Sequence, residues 1–388
     1  MCTPRVVLFA DTFYEVNGAA RTCREWHAFA RRRDLPLFCI RRGPRNMLAE
    51  EGAVWTLDLV RSRLSFPIDP DLRFDTRFLR HLEGVEDEVR RFQPDFIHVM
   101  GPGDLGILGA VIAARLHTPL AASWHTNLHE FAGKRVARAC FWLPGAARRR
   151  LFYFVERFVL DRICWFFGRA VVLFAPNPEL AAMLRERTGR QVAPMGRGID
   201  SRLFHPDRRA RTNSDLVLGY VGRLMPEKNL RLLVKVAEAL RTAGIERFRF
   251  QITGSGSERW WLEKHLPQAE FTGVLTGEAL ARTYANLDIF LFPSRTDTFG
   301  NVVQEALASG VPALVMNSGG PRFIVRDGVS GIIAEDDEEF CRGAVALASS
   351  ERLRRDMGGA GRRQVEVQSW DRVFEEVYEG YGCPVGID

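Results

Sequence analysis

The stretch Asp297-Thr-Phe-Gly-Asn-Val-Val-Gln-Glu305, together with the Ile289-Phe-Leu-Phe-Pro-Ser294 that runs into it, decides the reading of this chain. A short apolar run ending in Pro-Ser predicts a buried parallel strand, and Glu305-Ala-Leu-Ala-Ser-Gly310 predicts a helix closed by a C′ glycine. One carboxylate then sits in the loop at the strand's C-terminal edge, and the other about two turns into the helix. Ligands of open parallel sheets bind at that edge. An ionised carboxylate only accepts hydrogen bonds and can take two from vicinal hydroxyls, so the pair suits recognition of a sugar or ribose. Two acids alone equally describe a solvated helix face with an acid favouring the dipole. Gly300, Val302-Val303 and the upstream Pro-Ser turn the balance toward a ligand loop.

Working outward, strand and helix patterns alternate in both halves, the signature of parallel βα units. The first half supplies strands at Val6–Ala10, Leu37–Ile40, Phe96–Val99, Leu120–Ser123, Val171–Phe174 and Val192–Met195. The second supplies Val217–Val221, Phe250–Thr253, Ile289–Phe292, Pro312–Val315 and Gly331–Ile333. Two doubly wound α/β sheets are implied. Asp207-Arg-Arg-Ala-Arg-Thr-Asn-Ser-Asp215 has no apolar period and reads as the linker, dividing a first domain, 1–206, from a second, 216–369. After Ser369-Trp370-Asp371, Val373, Phe374, Val377, Tyr378 and Tyr381 form an apolar helical stripe.

A length of 388 residues, 46% apolar and 26% charged, fits a globular chain of two or three domains, each able to bury a core. Seven scattered cysteines without C-x-x-C spacing read as reduced thiols. Neither a signal peptide nor a run of 18 apolar residues is visible. The charge is uneven. Between Gly133 and Arg169 nine basic residues face two acidic ones, a net of +7 against +6 for the whole chain. The same segment carries nine aromatics, including Phe152 and Phe154 beside Arg148, Arg149 and Arg150. Basic helices with aromatic faces lie in the headgroup region of anionic bilayers, so this segment is expected to dock on a membrane. Core packing with a solvated basic face is the alternative, and no nucleic-acid motif accompanies the patch.

Gly219-Tyr-Val-Gly-Arg-Leu-Met-Pro-Glu-Lys-Asn229 reads as strand, glycine and loop, with Pro226 opening the next helix. Arg223 and Lys228 then stand beside free helix amides and suit a pyrophosphate. Asp11-Thr-Phe-Tyr-Glu-Val-Asn-Gly-Ala19 places Gly18 at a strand-to-helix turn, where backbone N–H groups can approach an anion. His125 and His129 stand four apart with no acidic or cysteine partner at ligand spacing, so no metal is read there. Thr253-Gly-Ser-Gly-Ser257 is a poor dinucleotide fingerprint because Arg259 replaces its third glycine. Asp69-Pro-Asp71 has the form of a metal-binding D-x-D but reads as a turn.

With the Glu-x7-Glu-like spacing of Asp297 and Glu305 and the Gly-Arg-x4-Lys of Gly222 to Lys228, the chain resembles glycosyltransferase family 4. Gly196-Arg-Gly-Ile-Asp200 and Phe204-His-Pro206 extend the similarity. The resemblance implies a GT-B architecture: two Rossmann-like domains with an active-site cleft between them and a last helix, 370–388, that rejoins the first. It implies a retaining, metal-independent transferase that uses a nucleotide-diphosphate sugar. Arg223 and Lys228 would hold the leaving diphosphate, Asp297 the sugar hydroxyls, Glu305 the ribose and His125 the sugar. Donor contacts are implied at Gly18, Gly273, Val274, Phe299, Gly300, Asn301 and Val302. No residue is an obvious nucleophile, as the front-face mechanism proposed for the family expects. Asp297 replaces the family's first Glu and reaches roughly 1.5 Å less far. The Asp297-Thr-Phe-Gly-Asn-Val-Val spelling resembles membrane-associated enzymes making glycolipids, with mannose from GDP-mannose ahead of a UDP-hexose and a lipid or lipid-linked acceptor. A cytoplasmic protein, peripheral on the inner face of the cell membrane, is expected. The alternatives are a nucleotide-sugar 2-epimerase of the same architecture and a non-enzymatic sugar-binding protein.

Overall fold

In a computed structural model, residues 3–69, 72–140, 142, 144–212 and 215–382 are described. The chain forms two compact units, one of residues 1–196 and 370–388 and the other of 197–369.

The first unit holds β1 (Val6–Ala10), β2 (Leu37–Arg42), β3 (Met47–Glu51), β4 (Val54–Leu59), β5 (Ser65–Asp69), β6 (Leu72–Asp75), β7 (Phe96–Val99), β8 (Leu120–Ser123), β9 (Val172–Ala175) and β10 (Gln191–Pro194). Eight of them form one sheet in the order β10-β9-β8-β7-β1-β2-β4-β3. All neighbours are parallel except β3, which runs antiparallel to β4 at the edge. Strand residues alternate between two cores, as pleating requires. Val7, Phe9, Phe38 and Ile40 face one helical layer, and Val6, Leu8, Leu37 and Cys39 face the other. The terminal helix Trp370–Gly380 belongs to the second layer. Phe374 stacks on Trp26 at 5.5 Å, and Arg33 pairs with Glu375 at 3.0 Å. Sequence reading missed β3 to β6, whose mixed polarity hides them. Pro70 and Asp71 of the D-x-D lie outside the described residues, between the paired strands β5 and β6.

The second unit holds β11 (Leu216–Val221), β12 (Phe248–Thr253), β13 (Glu270–Gly273), β14 (Ile289–Phe292), β15 (Ala313–Met316) and β16 (Gly331–Ala334). They form an all-parallel sheet in the order β13-β12-β11-β14-β15-β16. The run Ile289-Phe-Leu-Phe292 is buried throughout, as a strand covered on both faces must be. This unit begins at Arg197, earlier than the expected boundary at 206. Phe204 lies in its core, and Arg362 donates to the carbonyl oxygens of Phe204 at 2.6 Å and Ser201 at 3.0 Å. Part of the expected linker is also anchored. Arg209 and Arg211 hold Asp288 at 2.7 and 2.5 Å, and Asn286 accepts from the amides of Ala210 and Arg211.

Candidate active site

In the second sheet, β11 is flanked by β12 and β14, so the chain order reverses between β11 and β14. Loops on the carboxyl side of such a reversal open a ligand crevice. The loop after β11 carries Arg223 and Lys228, and the loop after β14 carries Asp297. The two meet: Lys228 Nζ is 2.7 Å from Asp297 Oδ1. Burial alone would push the Asp297 carboxyl up, but Lys228, reinforced by Arg223, holds it below the ordinary carboxylate range. Its second oxygen, Oδ2, and the hydroxyl of Ser294 are both buried, and a hydrogen bond from Ser294 also favours the ionised carboxyl. A buried carboxylate kept ionised by cations and a hydroxyl at the switch-point edge of a parallel sheet suits a polar ligand.

Pro226 does not open a long helix. It starts a single 3₁₀ turn, Pro226–Lys228, ended by Asn229 at φ 53°, and the next helix begins at Leu232. The anion site therefore has its two cations without a helix dipole behind them. Tyr220 steadies this loop by donating from its hydroxyl to the Arg223 carbonyl oxygen at 3.0 Å.

After Asp297 the chain turns at Gly300, whose φ of 105° excludes ordinary side chains, and enters the helix Asn301–Ala308. Glu305 is thus little more than one turn into that helix, not two. It is buried, and its Oε2 accepts from the Tyr284 hydroxyl at 2.9 Å. Phe299 and Val302 are half-buried against the core. The Gly273 carbonyl oxygen accepts from the Gly254 amide at 2.8 Å, and Val274 is exposed. Gly254 itself is spent on packing: a Cβ there would lie 1.9 Å from the Gly222 carbonyl oxygen.

Two elements escaped the sequence reading. Ser318-Gly319-Gly320 after β15 braces the Asp297 loop, with the Gly320 amide donating to the Asp297 carbonyl oxygen at 2.7 Å. Arg197 is buried, its guanidinium 5.7 Å from the Phe299 ring and its carbonyl oxygen accepting from Gln304 Nε2 at 3.0 Å. Glycines directly after a strand, and an arginine inside the Gly196–Asp200 motif, were the available signals.

In the first unit, Gly18 is the first residue of the helix Gly18–Arg32, and Asn17 caps it by accepting from the Ala20 amide at 2.8 Å. His125 is buried just past β8, its Nε2 2.7 Å from Ser123 Oγ. His129 packs on Trp124, and burial takes its imidazole down to about 4. Among the described residues no group of three or more His, Cys, Asp or Glu side chains could hold a metal.

The basic segment contains the helix Gly145–Phe167, with Arg148, Arg149 and Arg150 exposed in its first turns. Phe154, Phe158 and Trp165 are exposed along one face at 69%, 54% and 59%, and Arg169 lies 3.6 Å from the Trp165 ring centre. Phe152 is a correction. Two positions from Phe154, it turns to the other side of the helix and packs on Gly133, where a Cβ would meet its ring at 2.9 Å. Phe152 is half-buried there, and Phe166 and Phe167 are buried. Among the described residues no helix is long and apolar enough to cross a membrane.

Comparison with known proteins agrees with this arrangement. Residues 16–203 match the family described as Glycosyltransferase Family 4, and residues 215–350 match Glycosyl transferases group 1. A GDP-mannose-dependent alpha-mannosyltransferase of Mycolicibacterium smegmatis is 33% identical over 77% of this chain and 76% of its own. One of Mycobacterium tuberculosis is 30% identical over 98% of this chain and 97% of its own. Among solved structures, a sucrose-phosphate synthase from Thermosynechococcus elongatus superposes with a TM-score of 0.72 at 18% identity, covering 98% of each chain. The lipopolysaccharide-biosynthesis glycosyltransferase WaaG superposes at 0.65 with 14% identity, covering 96% of this chain and 98% of its own. The fold is GT-B, and the chain belongs to the group 1 and family 4 glycosyltransferases.

Proposed function

We propose that this protein is a retaining mannosyltransferase that moves mannose from GDP-mannose to a hydroxyl of a membrane lipid or lipid-linked glycan, without a metal or other cofactor. The Lys228–Asp297 pair at the carboxyl edge of the second sheet, with Arg223 also acting on the carboxylate, carries the reading. Arg223 and Lys228 stabilise charge developing on the departing diphosphate, and Asp297 offers its remaining carboxylate lone pairs to sugar hydroxyls. Glu305 takes ribose hydroxyls, and His125 orients the hexose. Two fixed cations at the diphosphate do the neutralising that a divalent ion would otherwise do. The names of the relatives support the donor and the anomeric outcome, because GDP-mannose is α-linked and those proteins make α-mannosides. The exposed arginines and aromatic face of the helix Gly145–Phe167 support docking on an anionic membrane.

Nucleoside diphosphate release from GDP-mannose, GDP-glucose and UDP-glucose, with and without phosphatidylinositol mannoside vesicles and in EDTA, tests this. Acceptor-dependent GDP release from GDP-mannose that survives EDTA, with an α-linked product, is expected. A free epimerised sugar, a UDP-hexose preference or a Mn²⁺ requirement would each overturn the corresponding part.

A further inference from the structure

A pocket of about 360 Å³ in the first unit is bordered by the helix Gly18–Arg32 and by β2, β3 and β4. Local geometry dictates its walls. Arg24, His27 and Arg31 stand at i, i+3 and i+7, a spacing that puts three side chains on one helical face. On β2, Arg41 follows Leu37 and Cys39 on the pleat face that the helix covers, and on β4 Thr56 follows Val54 on that same face. Phe13, from the loop after β1, and Glu51, at the end of β3, complete the lining.

Three guanidiniums thus border one pocket against a single lining carboxylate, and the protein fixes each through one nitrogen. Arg24 Nη1 donates to the carbonyl oxygens of Phe13 and Glu15. Arg41 Nε donates to Asp58 Oδ1 at 2.6 Å while its Cζ lies 4.2 Å from the Phe13 ring centre, and Arg31 Nη2 is 2.9 Å from Glu51 Oε2. A guanidinium carries five N–H donors, so each keeps donors for a ligand after its anchor is made. The buried Asp58 offsets Arg41, but Arg24 meets only carbonyl oxygens, which leave its charge whole. Arg31 and Glu51 are each 57% exposed, and a pair so solvated is worth little, so an anion of better geometry can take Arg31 from Glu51.

Anchored arginines around a concavity select carboxylate or phosphate. A carboxylate has two oxygens to divide among three arginines, whereas a phosphomonoester has three terminal ones. Pockets from about 300 Å³ upward hold small organic ligands, so there is room here for more than the phosphate group. We propose that this pocket is a binding site for a phosphomonoester, with Arg24, Arg31 and Arg41 sharing its terminal oxygens and Phe13 and Val54 lying against its organic part. None of these residues has a part in the transfer chemistry. The same headgroup is found on soluble metabolites and on phosphatidic acid.

His27 supplies the reporter, since it lines the pocket with its ring centre 6.0 Å from that of Phe13. Burial, then Arg41 and Arg31, lower its imidazole, and Glu51 pushes it up. A dianion bound among the arginines should push it up further. Glycerol 3-phosphate and a short-chain phosphatidic acid, each titrated into the full-length protein while the His27 ring NMR signals are followed, test this, with His27→Gln assigning the signals. A saturable shift and a raised His27 titration midpoint are expected. Arg24→Gln should weaken binding roughly tenfold, the worth of one charge-assisted hydrogen bond. Glu51→Gln should tighten it severalfold by releasing Arg31 and removing the lining acid, a gain that a merely structural role would not give. Because Glu51 is exposed, this variant keeps the test decisive should Arg24→Gln fold poorly. Tighter binding of glycerol 3-phosphate assigns a soluble ligand, and tighter binding of phosphatidic acid a lipid headgroup. No saturable shift with either probe, or one affinity shared by wild type, Arg24→Gln and Glu51→Gln, would overturn the proposal.

Discussion

The loops at the carboxyl edge of the second sheet and those at the same edge of the first are built on opposite electrostatic plans. The second brings opposite charges to 2.7 Å, in a carboxylate that Arg223 and a Ser294 hydrogen bond also hold ionised. The first seals its Arg42–Asp104 ion pair into the core. It places His125 at the end of a neutral hydrogen-bonded line, and it keeps Asp11, the residue after β1, protonated by burial and by the nearby Asp104 carboxyl. A site that must hold a diphosphate and stabilise its departure needs fixed cations. A site that must orient a neutral sugar or admit an acceptor needs directed donors and acceptors, which burial makes strong without net charge.

Removing a cation from the second site is expected to have the largest effect. Arg223→Ala and Lys228→Ala should each lower kcat by roughly 10²–10³, the loss typical of deleting one preorganised group at a developing charge. They should differ in stability. Lys228→Ala strands the Asp297 carboxylate and should lower the denaturation midpoint more than Arg223→Ala, which leaves the 2.7 Å pair in place. Near-normal turnover in both at saturating donor would break the charged half of the comparison.

The two acids of the opening stretch should separate next. Asp297→Asn swaps an acceptor-only group for a mixed one at the sugar and weakens the pairing with Lys228; Glu305→Gln keeps an acceptor for the Tyr284 hydroxyl. A larger loss of kcat/KM for Asp297→Asn is expected. Equal losses would mean that both acids only bind donor.

The same contrast explains what was legible in the sequence. Arg223 with Lys228, and Asp297 with Glu305, lie within single strand–loop–helix units, so spacing alone carries them to one edge. The buried strands Val6–Ala10 and Ile289–Phe292 were legible because their apolar runs are short and bounded. The hydrogen-bonded run Tyr381–His98–Ser123–His125 was not, since its members come from separate elements and His98 and Tyr381 stand 283 positions apart. Nor was the 3₁₀ turn at Pro226, where proline fits both a helix start and a tight turn, or the inward turn of Phe152, which depends on Gly133 of another helix.

Besides the buried Arg42–Asp104 pair, the first unit carries charge on its surface. Arg148, Arg149 and Arg150 are exposed beside an aromatic face. Attraction of about 1 kcal/mol per cation near an anionic surface predicts that the triple change to Glu releases the protein from phosphatidylglycerol vesicles while donor affinity is retained. Undiminished co-sedimentation would return this helix to a packing role.

The smallest effect is expected from Asp11, and it bears directly on the neutrality of the first site. Asp11 Oδ1 accepts from the Leu105 amide at 2.9 Å, while Asp104 takes Arg42 and the Asp75 amide. Burial, then Asp104, lifts the Asp11 carboxyl from 3.8 to about 8. An acid raised in the fold binds a proton that the unfolded chain has already released, so it stabilises fully below pH 3.8, and this contribution is lost as pH rises to about 8. Asp11→Asn mimics the protonated acid permanently: its carbonyl can accept from Leu105, and its amide can donate toward Asp104. Groups that titrate alike in both proteins cancel in the difference of their melting temperatures. That difference, variant minus wild type, should grow by roughly a few degrees between pH 5 and pH 8. A difference independent of pH would mean that Asp11 is ionised in the folded protein, and the first site would then be no less charged than the second.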